Sequence, residues 1–346
     1  MTDHGGETWR PIPLAPNTLK SFYPGAGRIR AFRGQQGVDP GHSEDWIAST
    51  TSRFGAAPLG LTRLPDGSLL ADRVAADPTS WFGPQYTARY GARGALLVKL
   101  LDAGGRLPLH IHPDRAFASE HLGSDFGKTE AWLVLHAEPG AAAHLAFSRD
   151  VTAAELSGWV TRQDTAALLA TCNRIPVQAG DVVFCPGGVP HAIGEGMLIL
   201  EIQEMSDFSI MLEWAGFPLD PGAVFLGLDS DIALGAVRRQ GITGDRLKAL
   251  QGQCIRTLAA GTPGCTALLP PAAAGFFGAD QVIPDGELRL DPRFSVLVVN
   301  EGQGTLECDS GEPVNVAAGQ VYLVPYAAGG VTLHGTLSAI RCYPAV

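Results

Sequence analysis

No Cys-x-x-Cys pair occurs in this sequence, no apolar run approaches the length of a bilayer span, and charged residues make up only 17% of the chain. Each shortage excludes something. The six cysteines (Cys172, Cys185, Cys254, Cys265, Cys308 and Cys342) are scattered. Zinc-ribbon spacing is therefore absent, and reduced, mostly buried thiols are expected rather than a disulfide framework. Without ~18 consecutive apolar residues, no membrane-spanning helix is expected. The N-terminal segment MTDHGGETWRPIPLAPN lacks the basic-then-apolar pattern of a secretory leader, so a cytoplasmic location is expected. Low charge combined with 45% hydrophobic residues fits a buried globular core and not a disordered chain. A net charge of −10 with no basic stripe interleaved with aromatics argues against nucleic acid. A small anionic substrate stays open, because a few local lysines outweigh a distant negative field.

Turn-formers are abundant instead. The 43 glycines and 25 prolines are spread along all 346 residues, which predicts many short strands joined by tight turns in two domains. An internal repeat supports this. AGDVVFCPGGVPHAI from Ala179 has a counterpart, AGQVYLVPYAAGGVTL, from Ala318, with Gly180 matching Gly319 and Pro186 matching Pro325. Each copy reads as a turn glycine, a β-rich apolar strand and a terminating proline. The expected fold is therefore mainly β: two related barrels of one design. Thr152 and Glu155 have capping-box spacing, and Asp164 offers a second helix start, predicting a small helical insertion near 150–175. Asp220-Pro221 places a capping residue before a proline suited to a first helical turn, predicting a helical linker near 220–250, broken by Gly235 and Gly241. The expected domains are 1–255 and 256–346.

The chemistry concentrates in PLHIHPDRAFASEHLGSDFGKTEAWLVL. His110 and His112 lie two apart, so on a strand both imidazoles leave the same face. Glu130 stands at the start of the strand AWLVL, and His191 follows Pro186 by five. Together these reproduce the general cupin pattern of H-x-H, a later Glu, and G-x5-P-x-G-x2-H, in jelly-roll barrels. Three imidazoles and one carboxylate suit Zn, Fe, Mn or Ni while leaving positions open. In the second repeat the positions of His191 and Gly188 carry Gly330 and Ala327. The C-terminal barrel is thus expected to be metal-free, serving structure or substrate shielding.

Over most of its length the chain resembles the class I (cupin-type) mannose-6-phosphate isomerases. PIPLAPN, SEDW, LLVKLLDA, HIHPD, GKTEAW, PGGVPHAI and EIQEMSD carry the likeness. The resemblance implies a zinc-dependent, cytoplasmic aldose–ketose isomerase acting on mannose 6-phosphate or a related sugar, with one ion held by His110, His112, Glu130 and His191. Lys99 and Lys128 match pocket lysines, and Glu201 matches a pocket carboxylate. The sequence also departs from the pattern. His110 stands where the family usually has Gln, which leaves the metal's identity open. Met211 stands where the family carries a pocket arginine, and a thioether can neither bind phosphate nor stabilise an enediolate. That loss can cost on the order of 10²-fold in rate.

Lys128, two residues from a ligand, and Glu201 are alternative proton-transfer groups. Lys99, Arg115, Glu44 and Trp46 are candidate substrate contacts. Arg115 and Arg106 flank the H-x-H and are candidates to replace the missing charge. Two other functions stay open: a cupin Fe or Mn oxidoreductase, and a sugar-binding relative with impaired catalysis. A small-molecule sugar or sugar phosphate is the expected partner; oligomeric state is unspecified.

Overall fold

A computed structural model describes residues 9–34, 38–94, 96–309 and 311–346. Residues 1–8, the first part of the segment read above for a leader, lie outside the described residues. Among the described residues the architecture is mainly β and antiparallel, with three sheets.

Two sheets face each other to form the N-terminal jelly roll. The six-stranded sheet runs Thr18–Leu19, Glu44–Ile47, Leu97–Ala103, Met197–Gln203, Glu130–Ala137 and Val182–Cys185 in spatial order. The five-stranded sheet runs Ile210–Met211, His110–Ile111, His191–Ala192, Ala142–Phe147 and Cys172–Pro176. Strand alternation decides what each face carries. On the five-stranded sheet, Leu109, Ile111, Ile210 and Leu212 turn outward and pack with Leu156, Val160 and Leu168 of a helical pair. That pair, Ala153–Arg162 and Thr165–Thr171, begins with the capping box formed by Thr152 and Glu155. The apolar outer face is thereby covered, and the intervening His110 faces the space between the sheets.

The third sheet folds back on itself. Its two long strands, Ser295–Cys308 and Val331–Pro344, pair with each other along nearly their whole length. A register shift between Val299 and Glu301 marks the bend. On one side of it Ser295–Val298 pairs with the strand Val321–Val324, and on the other Gln303–Leu306 pairs with Val314–Ala317. The strand Ile12–Pro13 joins this sheet through Leu323 and Tyr322, so the start of the chain is stitched into the C-terminal roll. One hydrophobic cluster runs through both rolls, from Leu100 and Val183 to Val296 and Ile340.

The segment after Asp220-Pro221 is mostly turn, with short helices at Ser230–Gly235 and Gly244–Lys248. Asp220 Oδ1 accepts from the Gly222 amide, closing a local turn in place of a helix cap. Further helices, outside the segments that the caps mark, stand at Leu70–Ala76, Pro78–Phe82 and Pro84–Tyr90. They dock the two rolls together: Trp81 meets Trp9 edge-on at 5.3 Å, and Phe82 meets Phe294 at 4.8 Å.

Gly319, one of the paired repeat glycines, has φ +84° and sits against the helix Arg28–Arg33. A Cβ there would overlap the Phe32 carbonyl oxygen. Gly319→Ala is therefore expected to lose more than about 2 kcal/mol of stability in denaturant unfolding, strain and clash together. Gly216→Ala, at φ +86° with open space around it, should lose only about 1 kcal/mol. Equal losses would show that the approach of Phe32 to Gly319 does not hold the helix against the second roll.

Candidate metal centre

The four ligand candidates converge from both sheets of the N-terminal roll. His110 and His191 are direct partners on adjacent strands, His112 follows on the same strand line as His110, and Glu130 opens a strand of the facing sheet. All four are buried. The imidazole centroids lie 4.2 Å apart for His110–His191, and 4.8 Å apart for both His110–His112 and His112–His191. Donor atoms of the three histidines all lie within 4.8 Å of one another.

Each ring is tied back by Nδ1. His110 Nδ1 lies 2.8 Å from the Pro108 carbonyl, His112 Nδ1 2.8 Å from that of Phe208, and His191 Nδ1 2.9 Å from that of Val189. A carbonyl only accepts, so Nδ1 carries the proton and Nε2 keeps its lone pair. Burial, reinforced by the neighbouring imidazoles, lowers the His110 pKa well below the ordinary histidine range. Burial and then the Lys128 cation push His112 down to about 3. The rings are thus neutral donors at physiological pH, as ligation requires.

Glu130 is fixed in the same manner. The Trp132 indole N–H donates to its Oε1 at 2.7 Å. Burial opposes its ionisation, but His112, Lys128 and His191 together hold its carboxyl well below the usual range. Its Oε2 lies 2.9 Å from His112 Nε2, and its Oε1 3.3 Å from His191 Nε2. Glu130 Oε2 and His191 Nε2 are nevertheless buried without a hydrogen-bond partner among the described residues. Two orphaned electron-pair donors pointing at one spot fit a cation there, since such atoms cost about 1–3 kcal/mol each when left unmatched.

A small cavity of about 40 Å³ adjoins this cluster and receives Lys99, Lys128, Glu44, Glu201 and Asp207. Lys128 Nζ donates to His112 Nε2 at 2.9 Å and lies 3.6 Å from Glu130. Lys128 reaches the spot because Gly127 brings its backbone against Pro113 and Asp114, where a Cβ would clash. Trp46, Lys99, Glu201 and Trp132 are successive cross-strand partners and form one row on the cavity face of the six-stranded sheet. Lys99 Nζ lies 4.2 Å over the Trp46 ring, 3.9 Å from Glu201 and 3.4 Å from Asp207. The Trp46 indole donates to Glu44 at 2.7 Å. Burial, with the Glu130 charge added, raises the Glu201 pKa to about 8.

Of the substrate-contact and replacement-charge candidates singled out from sequence, Trp46, Arg115 and Arg106 do not line this cavity. Arg115 pairs with Glu204 at 2.5 Å and lies over the Phe276 ring. Arg106 makes a two-pronged pair with Glu213 at 2.6 and 2.7 Å. Met211 is the direct partner of His110, which puts it on the inner side of its strand.

The structure adds groups that the sequence does not single out. Asp207 sits in the quoted EIQEMSD, but its partner Lys99 is 108 residues away. Cys185, opposite Glu130 in register, lies 3.2 Å from the tied-back Nδ1 of His191. The repeated Glu-x-Trp of 44–46 and 130–132 was a readable signal, since residues two apart on a strand share a face.

No family model matches the chain. The chain is 35% identical over 203 residues to a mannose-6-phosphate isomerase of Streptococcus mutans, covering 57% of this chain and 58% of that one. It is 35% identical over 123 residues to a mannose-6-phosphate isomerase of Bacillus subtilis, covering 35% and 38%. The matches thus span little more than half of the first relative and less of the second. Among solved structures, the mannose 6-phosphate isomerase of Bacillus subtilis aligns at TM-score 0.71 and 21% identity over 96% of this chain and 99% of that one. A phosphomannose isomerase variant of Salmonella typhimurium aligns at TM-score 0.72 and 15% identity over 97% and 100%. At these identities the structures establish the cupin-type fold. The chain is thus similar in sequence, over part of its length, to mannose-6-phosphate isomerases, and it shares the fold of their solved structures.

Proposed function

We propose that this protein is a metal-dependent aldose–ketose isomerase, with His110, His112, Glu130 and His191 holding one divalent ion, zinc by the likeness to its family. The observation that carries the reading is the convergence of three tied-back imidazoles and one carboxylate, two of their donor atoms orphaned, beside a buried lysine–glutamate cluster. A bound dication there supplies a Lewis acid for the carbonyl and hydroxyl oxygens of an open-chain sugar.

Isomerisation moves one proton between C1 and C2 and another between the two oxygens. Lys128 and Glu201 are the cavity groups suited to these transfers. Glu201, with its pKa at about 8, is poised to give and take a proton near neutral pH. Lys128, held against His112 and Glu130, presents its ammonium to an oxygen that becomes negative. Trp46 lies under the Lys99 ammonium and donates to Glu44, which lines the cavity. The groups of three or more metal-ligand side chains found among the described residues lie in the N-terminal roll. Six free cysteines suit a reducing, cytoplasmic setting.

A cavity of about 40 Å³ holds about one water and not a sugar. Asp207 lines both it and a surface depression of about 580 Å³, so entry requires this wall to shift. The three-His, one-Glu donor set by itself also suits an Fe or Mn oxidoreductase. The adjoining lysines and glutamates, and the names of the relatives, favour isomerisation. Oxygen consumption by Fe-loaded protein, with no isomerase turnover under any metal, would decide for the oxidoreductase.

His191→Ala is expected to bind metal about 100-fold or more weakly and to lose isomerase turnover, with its circular dichroism unchanged. Metal analysis after dialysis checks the first point. Chelated wild-type protein should stay inactive until a divalent ion is returned; full activity without metal would sink the reading.

A second expectation concerns Glu201 in metal-free protein. Its folded pKa of about 8 lies above the unfolded carboxyl value, so the folded state holds a proton that the unfolded state has released. Stability is therefore full below the unfolded pKa and falls as pH rises toward about 8. The slope approaches about 1.4 kcal/mol per pH unit. Glu201→Gln should flatten this fall in denaturant titrations from about pH 5 to 8, and parallel curves for the two proteins would refute the assignment.

A further inference from the structure

We propose that the substrate of this site is a non-phosphorylated sugar; the inference rests on the isomerase reading above and concerns the end of the sugar remote from the carbonyl.

A phosphate ester brings nearly two negative charges at neutral pH and needs unengaged cations, arginine forks above all. The cavity offers two cations, and both are engaged. Lys99 is held by Asp207 at 3.4 Å and Glu201 at 3.9 Å, and Lys128 by Glu130 at 3.6 Å. Against these two ammoniums stand the carboxyl groups of Glu44, Glu130, Glu201 and Asp207. A dication at the ligand cluster would be spent at the carbonyl end, leaving the remote end to the cavity's own charges.

The nearby arginines are committed as well. Arg106 uses its fork on Glu213, and Arg115 gives its Nε to Glu204. Arg53 sits 3.7 Å from Glu44 and donates to the Lys20 carbonyl at 2.9 Å. Met211 puts a thioether on the inner side of the strand facing His110. Outward from the cavity, the adjoining depression has Arg53 as its one lining cation among the described residues, opposite Asp207. The rest of its lining is hydroxyl, apolar and aromatic, including Thr51, Phe54 and Phe208. A phosphate arriving there would have to take Lys99 from Asp207 and leave a carboxylate without its cation, a strongly unfavourable exchange in a buried site. Neutral hydroxyls meet no such penalty: carboxylates accept their hydrogen bonds, and an aromatic face packs on a sugar ring.

The test is steady-state isomerisation by metal-defined protein, comparing free aldohexoses and aldopentoses with hexose 6-phosphates. Turnover of a free sugar is expected, with kcat/KM at least about tenfold above that for any phosphorylated sugar. Inorganic phosphate should not compete in wild-type protein, and calorimetry should detect no phosphate binding. Asp207→Asn, which leaves Lys99 without its nearest carboxylate, should acquire phosphate inhibition. A preference for phosphorylated sugars would overturn this inference and leave the isomerase reading intact. Failure of fully metal-loaded protein to convert either class would overturn both.

Discussion

The structure depends on holding three neutral imidazoles and one ionised carboxylate in a buried volume where, among the described residues, Glu130 Oε2 and His191 Nε2 find no hydrogen-bond partner. Left unmatched, such groups oppose folding, so each must be fixed by its other end. The three Nδ1 atoms are tied to carbonyls at 2.8–2.9 Å, and Glu130 is tied to its own strand's tryptophan at 2.7 Å. Two of the three histidine anchors are local, Pro108 and Val189 each lying two residues before the histidine they hold, while Phe208 lies 96 residues from His112. The geometry therefore follows from strand pairing, since His110 and His191 are cross-strand partners. A one-residue slip of either strand would turn its ligand into the apolar layer under the helical pair.

The same economy organises the facing sheet. Trp46, Lys99, Glu201 and Trp132 lie in one transverse row, so that an ammonium and a carboxyl are packed between two indoles. Burial alone would drive both groups to their neutral forms. For Lys99 that tendency is outweighed by Asp207, Glu201 and Glu44, which raise its pKa above the ordinary lysine value. For Glu201, burial and the neighbouring Glu130 prevail and raise it to about 8. One row thus contains a permanent cation and an acid that titrates near neutrality, a division of roles that pairs of ionisable groups in active sites commonly show.

Much of this was legible in the sequence because it rests on period-two alternation and fixed spacing. His-x-His, the Gly–Pro repeat and the Thr152–Glu155 box are local signals, and local geometry fulfils them. What was not legible is long-range. Ile12–Pro13 finds its partner strand some 310 residues later, and two residues carry no pattern to announce it. The helices between Leu70 and Tyr90 pack through Trp81 and Phe82 on residues far away in sequence, Trp9 and Phe294. The fates of Arg106 and Arg115 hang on Glu213 and Glu204, acidic residues that sequence spacing cannot pair with them. The Asp220-Pro221 signal was sound chemistry with another outcome: glycines at 222 and 227 and a left-handed Leu226 make turns cheaper than a helix there.

The second roll packs close to the site beside the strand that pairs with Glu130. Val182–Cys185 is the edge of the six-stranded sheet and pairs Cys185 with Glu130 and Val183 with Trp132. Its Phe184 packs against Phe276 at 6.3 Å and Phe277 at 6.5 Å, on the strand and turn that open the second roll. Arg115, just beyond the H-x-H, lies over the same Phe276 ring at 4.7 Å. On its other side this strand is bridged by residues 250–252: the Phe184 amide donates to the Leu250 carbonyl at 2.8 Å, and the Gly252 amide to that of Val182 at 2.9 Å. Capping Val182–Cys185 with an apolar wall from another sheet restrains the strand that holds Glu130 and Trp132 in register. The second roll thereby packs against the strand beside Glu130 and Trp132, and one hydrophobic cluster runs through both rolls.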